Sequence, residues 1–537
     1  MAYPVKARSV EWSPSPQRLR ELTERMPNSR ITEFGSVAVR TRVDSRSPAS
    51  TYIVTDEPGP LTRQPDPVPG GPDAADQHPD TADHHPDSFA HQTISRVEYE
   101  RIAAAQDAYI ADRDMLVVDG YLGSDPEFRT RSRLVVEAAN ANVAAMQQQL
   151  WYPMDPHDTS DPVTTVIATP TLTAPGYPDD RIIAVDLTNR VTRVLNTDSF
   201  GEAKWAALRM WNDVVFERGG LALHAGCKAV PVAGRHKTVL IVGLSGTGKT
   251  TTTFTRQLGS RPVQDDFVAL MPGGKVYATE NGCFAKTFGL DPRFESAIFH
   301  ATTQPDAYLE NVSLDEAGSV DFFDTASTRN GRTTWPFDQV DAYDPAELAP
   351  AEYVLILNRD ESILPAVAQL DRAQAAAYFM LGETGDTRAA GREGRDARLR
   401  IPGTNPFFPR SHADVGNRVL DLMDSHPMKV YVLNTGRVGG PDGDDRSKKI
   451  TIPVTSAVVA AIAQESIEWT VDPDFGYEVA KGVPGVDDPE LLQPVWLYQR
   501  QGRLEEYRER VARLQQERRD YLAELPGLDE AILKAIG

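Results

Sequence analysis

Runs of apolar, β-branched residues punctuate the chain. Residues 238–242 (TVLIV) and 353–357 (YVLIL) are apolar without alternation, as expected of strands buried on both faces of a sheet. Residues 429–433, which lead into Asn434-Thr435-Gly436, read as another. Alternation at 34–43 and again at 50–55 (STYIVT) predicts a hairpin whose loop carries Arg46. Residues 115–123, 163–170 and 181–195 are further strands, and residues 1–30 are polar and helical in part. Apolar residues at helical spacing predict helices from about Ser95 to 114, and at 131–151 (RSRLVVEAANANVAAMQQQLW), 203–216, 371–381 and 454–466. Strands and helices so interleaved predict an α/β protein. Gly219 and Gly220 end the 203–216 helix and mark a boundary. The expected order is a mixed α/β domain over 1–218, a second domain over 219–490 and a charged C-terminal helix over 491–537, packed on one face.

Two stretches break the pattern. Residues 57–92 are rich in Pro, Asp and His, too poor in apolar area to offset ordering entropy, and read as a disordered surface insertion. Its histidines, His85 and His91 among them, are too irregularly spaced for a designed metal site. Residues 383–412 are rich in Gly, Arg and Pro and read as a mobile loop. Composition narrows the partners. In 537 residues, 77 acidic side chains face 56 basic ones, a net charge of -21 that argues against a nucleic-acid or anionic-membrane surface. No apolar run is long enough to span a bilayer, and the N-terminus lacks the apolar core of a signal peptide. The two cysteines, Cys227 and Cys283, cannot form a disulfide framework; they suit a reducing cytoplasm and the role of small buried hydrophobes. The expectation is a small-molecule substrate and a monomer or small homo-oligomer; composition itself does not fix the oligomeric state.

The candidate chemistry starts at 243–250, GLSGTGKT, which fits the phosphate-binding pattern G-x-x-x-x-G-K-[ST] behind a predicted strand. Gly246 and Gly248 let the backbone turn so that N–H groups point at phosphate oxygens, and the following helix N-terminus adds partial positive charge. Lys249 is expected to reach the β- and γ-phosphates, and the Thr250 hydroxyl to ligate Mg2+. Beyond it, Asp265 and Asp266 lie where nucleotidases place a metal-holding carboxylate, although adjacent aspartates also make turns and helix caps.

From these residues the chain resembles the ATP-dependent phosphoenolpyruvate carboxykinases. GLSGTGKTT is similar to that family's phosphate loop, and the likeness continues in order. Residues 44–48 (DSRSP) resemble its arginine loop, 116–120 (LVVDG) its VVDAFCG strand, 201–205 (GEAKW) its GExKK, and 223–226 (LHAG) its MHCSAN. Asp265-Asp266 resembles GDDE, 281–286 (NGCFAK) GGCYAK, 309–312 LENV, 328–332 (TRNGR) TENTR, and 434–436 NTGW. The resemblance covers about 34–480 outside the insertion. It implies a two-domain fold, with the substrate side in the first domain and nucleotide and metals in the second. It implies conversion of oxaloacetate and ATP to phosphoenolpyruvate, carbon dioxide and ADP, with ATP, Mg2+ and Mn2+. By the same resemblance Arg46, Lys249, Lys286 and Arg332 are the catalytic cations, and His224 and Asp266, with Thr250, the metal ligands. The nucleotide is implied to meet Gly243, Leu244, Ser245, Gly246, Thr247, Gly248, Lys249, Thr250, Thr251, Asp291, Arg332 and Thr455.

The departures keep alternatives open. Trp205 stands where the family has a metal-binding lysine, and an indole N–H cannot ligate a cation. Lys204 substitutes only if the helix register shifts. Arg329 adds a cation, and Ser456 stands where an adenine-packing arginine is expected. A kinase for another small hydroxyl or a protein serine on the same fold, and a low-turnover ATP-binding regulator, remain alternatives. A transition-state cation such as Arg332 speaks against the last.

Overall fold

The computed structural model describes residues 3–56, 92–293, 295–324, 328–385 and 398–536. The expected insertion at 57–92 therefore lies outside the described residues, except for Gln92, which opens a strand. The described residues fall into two compact units: one holds the chain up to Val214 together with Thr279–Ala342, the other Val215–Ala278 and everything from Tyr343 onward. The chain thus changes unit near the expected boundary at 218/219 and twice more beyond it.

The first unit carries an eight-stranded mixed sheet in the order Ser9–Trp12, Asp114–Leu122, Thr130–Glu137, Thr164–Thr169, Val191–Leu195, Ile182–Asp186, Thr51–Thr55 and Gln92–Ser95. A five-stranded sheet accompanies it, in the order Gly282–Lys286, Arg332–Pro336, Tyr308–Glu310, Val37–Val39 and Ser29–Ile31. Two expectations fail here. The 34–55 hairpin does not form: Val37–Val39 joins the five-stranded sheet and Thr51–Thr55 the eight-stranded one. Residues 131–151 are not one helix, because Thr130–Glu137 pairs antiparallel with Asp114–Leu122 and only Ala141–Leu150 is helical. The β-branched pair Val135-Val136 fits a pleated ladder better than a helix surface. The helix Arg96–Ile110 starts as expected, capped by the Ser95 hydroxyl.

The second unit is built on a ten-stranded sheet whose centre, Arg235–Gly243, Ala351–Asn358 and Lys429–Asn434, is parallel. Alternate residues of these strands enter two cores. Leu240, Val242, Val354, Ile356, Val430 and Val432 join one; Val239, Ile241, Tyr353, Leu355, Tyr431 and Leu433 join the other. Burial on both faces is why these runs show no alternation in the sequence. The helix Arg372–Leu381 begins with a capping box from Asp371 and Gln374. The tail forms Pro494–Arg500, Leu504–Ala523 and Glu530–Lys534, and the long helix buries Tyr507, Val511, Leu514, Arg518 and Leu522 along one stripe. Arg518 donates from Nε to Glu383 at 2.9 Å and from a terminal nitrogen to the Tyr378 hydroxyl at 2.9 Å. The expected loop at 383–412 is accordingly ordered where it is described: Glu383–Thr384 pairs with Leu399–Arg400, and Ser411 caps the helix His412–Ser425. Residues 386–397 lie outside the described residues. Both cysteines are buried and unbridged. Among the described residues no helix is long and apolar enough to cross a membrane.

Candidate active site

In the second unit the strand Arg235–Gly243 ends in the glycine-rich segment, and the helix Lys249–Phe254 follows. Gly246 and Gly248 take φ of 83° and 96°, a left-handed backbone that side chains rarely adopt. The turn is fastened from three sides. Thr247 donates its hydroxyl to Leu244 O at 2.8 Å, the Thr435 hydroxyl donates to Thr247 O at 2.8 Å, and Lys249 Nζ donates to Gly243 O at 3.0 Å. Thr435 comes from the Asn434-Thr435-Gly436 run at the end of the strand Lys429–Asn434, which Ala351–Asn358 separates from Arg235–Gly243, and no motif in the sequence assigns it a role in the site. The segment lies beyond the carboxyl ends of central parallel strands, where open α/β sheets bind ligands. The helix is only six residues long, so its dipole is a smaller contribution than the motif suggests.

His224, on the strand Leu221–Val232, meets this segment. Its Nδ1 lies 2.9 Å from Thr404 O, so Nδ1 carries the proton and Nε2 offers a lone pair. Nε2 lies 3.3 Å from Asp266 Oδ1 and 3.3 Å from Lys249 Nζ. Phe267 stacks on the imidazole at 5.1 Å and Phe407 packs edge-on at 6.1 Å. Burial first, then the Lys249 ammonium, lowers the His224 pKa and keeps the ring neutral. Burial also draws the Lys249 ammonium down to about 8, against the pull of Asp266 and Asp265. Asp265 and Asp266 sit at the break between the strands Arg261–Gln264 and Phe267–Leu270. Thr404 comes from residues expected to form a mobile loop; a backbone carbonyl leaves no mark in sequence, and nothing there pointed to it.

The first unit assembles the remaining cations. Lys286 and Arg332 are direct partners across one antiparallel pair, and Arg332 and Glu310 across the next. Like charges directly opposite each other repel, so the row Lys286–Arg332 favours an anion. Glu310 is buried, accepts from Phe200 N at 2.9 Å, and is pushed up to about 8 by that burial. Arg332 donates to Asn330 Oδ1 at 2.9 Å, and Asn330 Nδ2 donates to Asp44 O in the loop before Arg46. That loop is tethered to the head of the helix Phe200–Glu217. Asp198 accepts from Arg42 N and Val43 N at 2.9 and 3.1 Å, and Glu202 accepts from Ser47 N at 2.9 Å.

The tethering brings the Arg46 guanidinium 5.4 Å above the Trp205 ring. The Lys204 ammonium lies 4.2 Å from the same ring and 3.0 Å from Glu280, with both charged groups buried. Lys204 is therefore engaged in an internal ion pair with Glu280. Arg332 lies over Phe284 at 5.4 Å. Asp291 is engaged locally, accepting from Arg293 N at 2.8 Å and Arg293 Nε at 3.0 Å. Thr455 lies in the first turn of the helix Ile452–Gln464.

The sequence profile of the phosphoenolpyruvate carboxykinase family matches residues 8–489, and the chain belongs to that family. Among curated relatives, it is 31% identical over 422 residues to phosphoenolpyruvate carboxykinase (ATP) 1 of Moorella thermoacetica, covering 75% of this chain and 77% of that protein. It is 30% identical over 419 residues to phosphoenolpyruvate carboxykinase (ATP) of Mesorhizobium japonicum, covering 75% and 76%. It is 30% identical over 443 residues to the enzyme of the same name from Aeropyrum pernix, covering 80% and 85%.

Proposed function

We propose that the chain is an ATP-dependent phosphoenolpyruvate carboxykinase of the cytoplasm. It takes oxaloacetate and ATP to phosphoenolpyruvate, carbon dioxide and ADP, in the direction of gluconeogenesis, as a monomer or small homo-oligomer. The observation that carries the reading is the meeting of Lys249, His224 and Asp266 within 3.3 Å behind the glycine-rich turn, in a chain of that family. The turn, with the hydroxyls of Thr250 and Thr251, holds the nucleotide phosphates, and Lys249 neutralises the transferring group. Lys286 and Arg332 face the anion of the acceptor, and Arg46 binds its carboxylate through a planar fork.

The donor set fits the divalent cations of the family. His224 presents a fixed imidazole lone pair beside the Asp266 carboxylate, ligands that suit manganese, and Thr250 suits Mg2+ on the phosphates. Among the described residues no group of three or more His, Cys, Asp or Glu converges on one point, so His224 and Asp266 would hold such an ion as a pair. When bound, such cations neutralise phosphate charge and polarise the oxygens they hold. Trp205 favours a second reading, phosphoryl transfer from ATP to a different acceptor, because it removes the lysine ligand that the family uses. One assay separates the two. Purified protein with ATP, Mg2+, Mn2+ and oxaloacetate forms phosphoenolpyruvate, and Lys249→Ala abolishes it, a loss on the order of 10³-fold or more. ATP binding of ordinary strength without phosphoenolpyruvate formation overturns the first reading in favour of the second.

A further inference from the structure

One strand face seats the helix behind the glycine-rich turn. On the strand Leu221–Val232, residues 224, 226 and 228 point the same way. His224 meets Lys249 at the head of the helix Lys249–Phe254. Gly226 lies under its last turn, where a Cβ would come 2.0 Å from Thr253 Oγ1. Lys228 reaches its tail. Nζ donates to Thr252 O at 2.8 Å, to Thr255 O at 2.7 Å and to Gln257 Oε1. The side chain is fully buried. In its protonated form Nζ has three donors, and three acceptors surround it here, although burial draws its pKa down to about 7.

One of those acceptors, Thr252 O, is a carbonyl of the last turn that the helix cannot satisfy itself; another, Thr255 O, belongs to the residue that follows the helix and also accepts from Gln257 N at 3.2 Å. The chain leaves the helix at Thr255, so the last C=O groups have no N–H four residues on. A helix this short is marginal without tertiary contacts. Its position is set by what it sits on, and its first residues are Lys249, Thr250 and Thr251. The sequence pattern passes over Lys228, because a lysine within an apolar strand has no motif around it.

We propose that Lys228 is a positioning residue of the nucleotide site: it pins the last turn of this helix and the residue that follows it to the strand that carries His224. In doing so it sets where Lys249, Thr250 and Thr251 meet the phosphates. The inference rests on the phosphate-binding reading above. It predicts a defect confined to the nucleotide, since the cations of the first unit take no part in the seat.

The test uses the full chain and MgATP. Lys228→Met raises the Kd and KM for MgATP at least tenfold and leaves the KM for oxaloacetate within twofold, while Lys228→Arg, which keeps donors for the carbonyls, recovers part of the loss. Gln257→Leu removes one of the three acceptors and gives a smaller change, about threefold by the same logic of one lost partner; it serves if Lys228→Met fails to fold. Binding of MgATP by Lys228→Met or Gln257→Leu within 1.5-fold of the parent overturns the proposal. So does an equal rise in both KM values, which marks a general structural defect. If the parent chain itself binds no MgATP, the phosphate-binding reading falls and takes this one with it. If the parent binds and Lys249→Ala does not, but Lys228→Met does, only the role of Lys228 falls.

Discussion

Replacing Gly226 with alanine tests the seat of the phosphate-loop helix through packing alone. The new Cβ would lie 2.0 Å from Thr253 Oγ1, 3.2 Å from Thr253 Cβ and 3.4 Å from its Cγ2. Carbon atoms at rest sit about 3.5–4 Å from their neighbours, so the hydroxyl contact cannot stand. Rotating Thr253 relieves it but gives up the bond from its hydroxyl to Lys249 O at 2.9 Å, worth about 1 kcal/mol. The 3.2 Å contact with Thr253 Cβ survives that rotation, so the helix must also lift by a few tenths of an ångström. Overpacking of this kind costs about 1–3 kcal/mol. The element that yields is the six-residue helix rather than the strand, which is held on both sides. If nucleotide binding must restore the seat, 1–3 kcal/mol corresponds to a roughly 5- to 150-fold weaker MgATP complex.

The assay is calorimetric titration of MgATP into the parent chain, Gly226→Ala, Thr253→Ala and the double variant. Thr253→Ala alone loses the hydroxyl bond and little affinity. In the double variant the hydroxyl and Cγ2 are gone, only the carbon–carbon contact at 3.2 Å remains, and most of the affinity returns. The coupling between the two sites is therefore expected to exceed about 0.5 kcal/mol. Gly226→Ala binding within twofold of the parent, or strict additivity in the cycle, refutes the packing of this helix on the strand.

Three further outcomes follow from the first unit. Lys204→Met leaves the Glu280 carboxylate buried beside no cation of its own pair, and thermal melting should show a loss of about 3–5 kcal/mol, largely recovered by adding Glu280→Gln. Glu310, raised by burial from 4.5 to about 8, holds its proton in the folded chain where the unfolded chain has released it, so between pH 4.5 and 8 its contribution to stability falls as pH rises. Glu310→Gln should flatten the dependence of Tm on pH across that window; an unchanged slope contradicts an ionisation shift there. Trp205→Lys places an amine beside Lys204 and Arg46 and should increase manganese affinity, read by electron paramagnetic resonance titration. No gain would mean that position 205 does not face the metal.

The legible parts of the site are those where one residue type answers one backbone or chemical need. Gly246 and Gly248 were readable because few other residues accept their backbone angles, and Lys249 and Thr250 because the motif fixes their spacing. The central parallel strands were readable because burial on both faces removes alternation. What failed depended on partners distant in sequence. Periodicity alone did not separate the strand Thr130–Glu137 from the helix Ala141–Leu150 that follows it, and alternation at 34–55 did not reveal that its two strands enter different sheets. Thr404 acts through a carbonyl, Glu280 through an ion pair with a residue 76 positions earlier (280 less 204), and Lys228 through the tail of a helix; none carries a local signal. The same distance effect explains why the contacts of the Trp205 ring with Arg46 and Lys204 were not visible in the sequence.

The most direct test of the central claim follows the γ-phosphorus of ATP by 31P nuclear magnetic resonance, with the purified chain, Mg2+, Mn2+ and oxaloacetate. The account predicts that the γ resonance decays while that of phosphoenolpyruvate grows in step with ADP, and that neither changes with Lys249→Ala. Decay to inorganic phosphate, or an ATP spectrum that oxaloacetate leaves untouched while MgATP still binds, would contradict it.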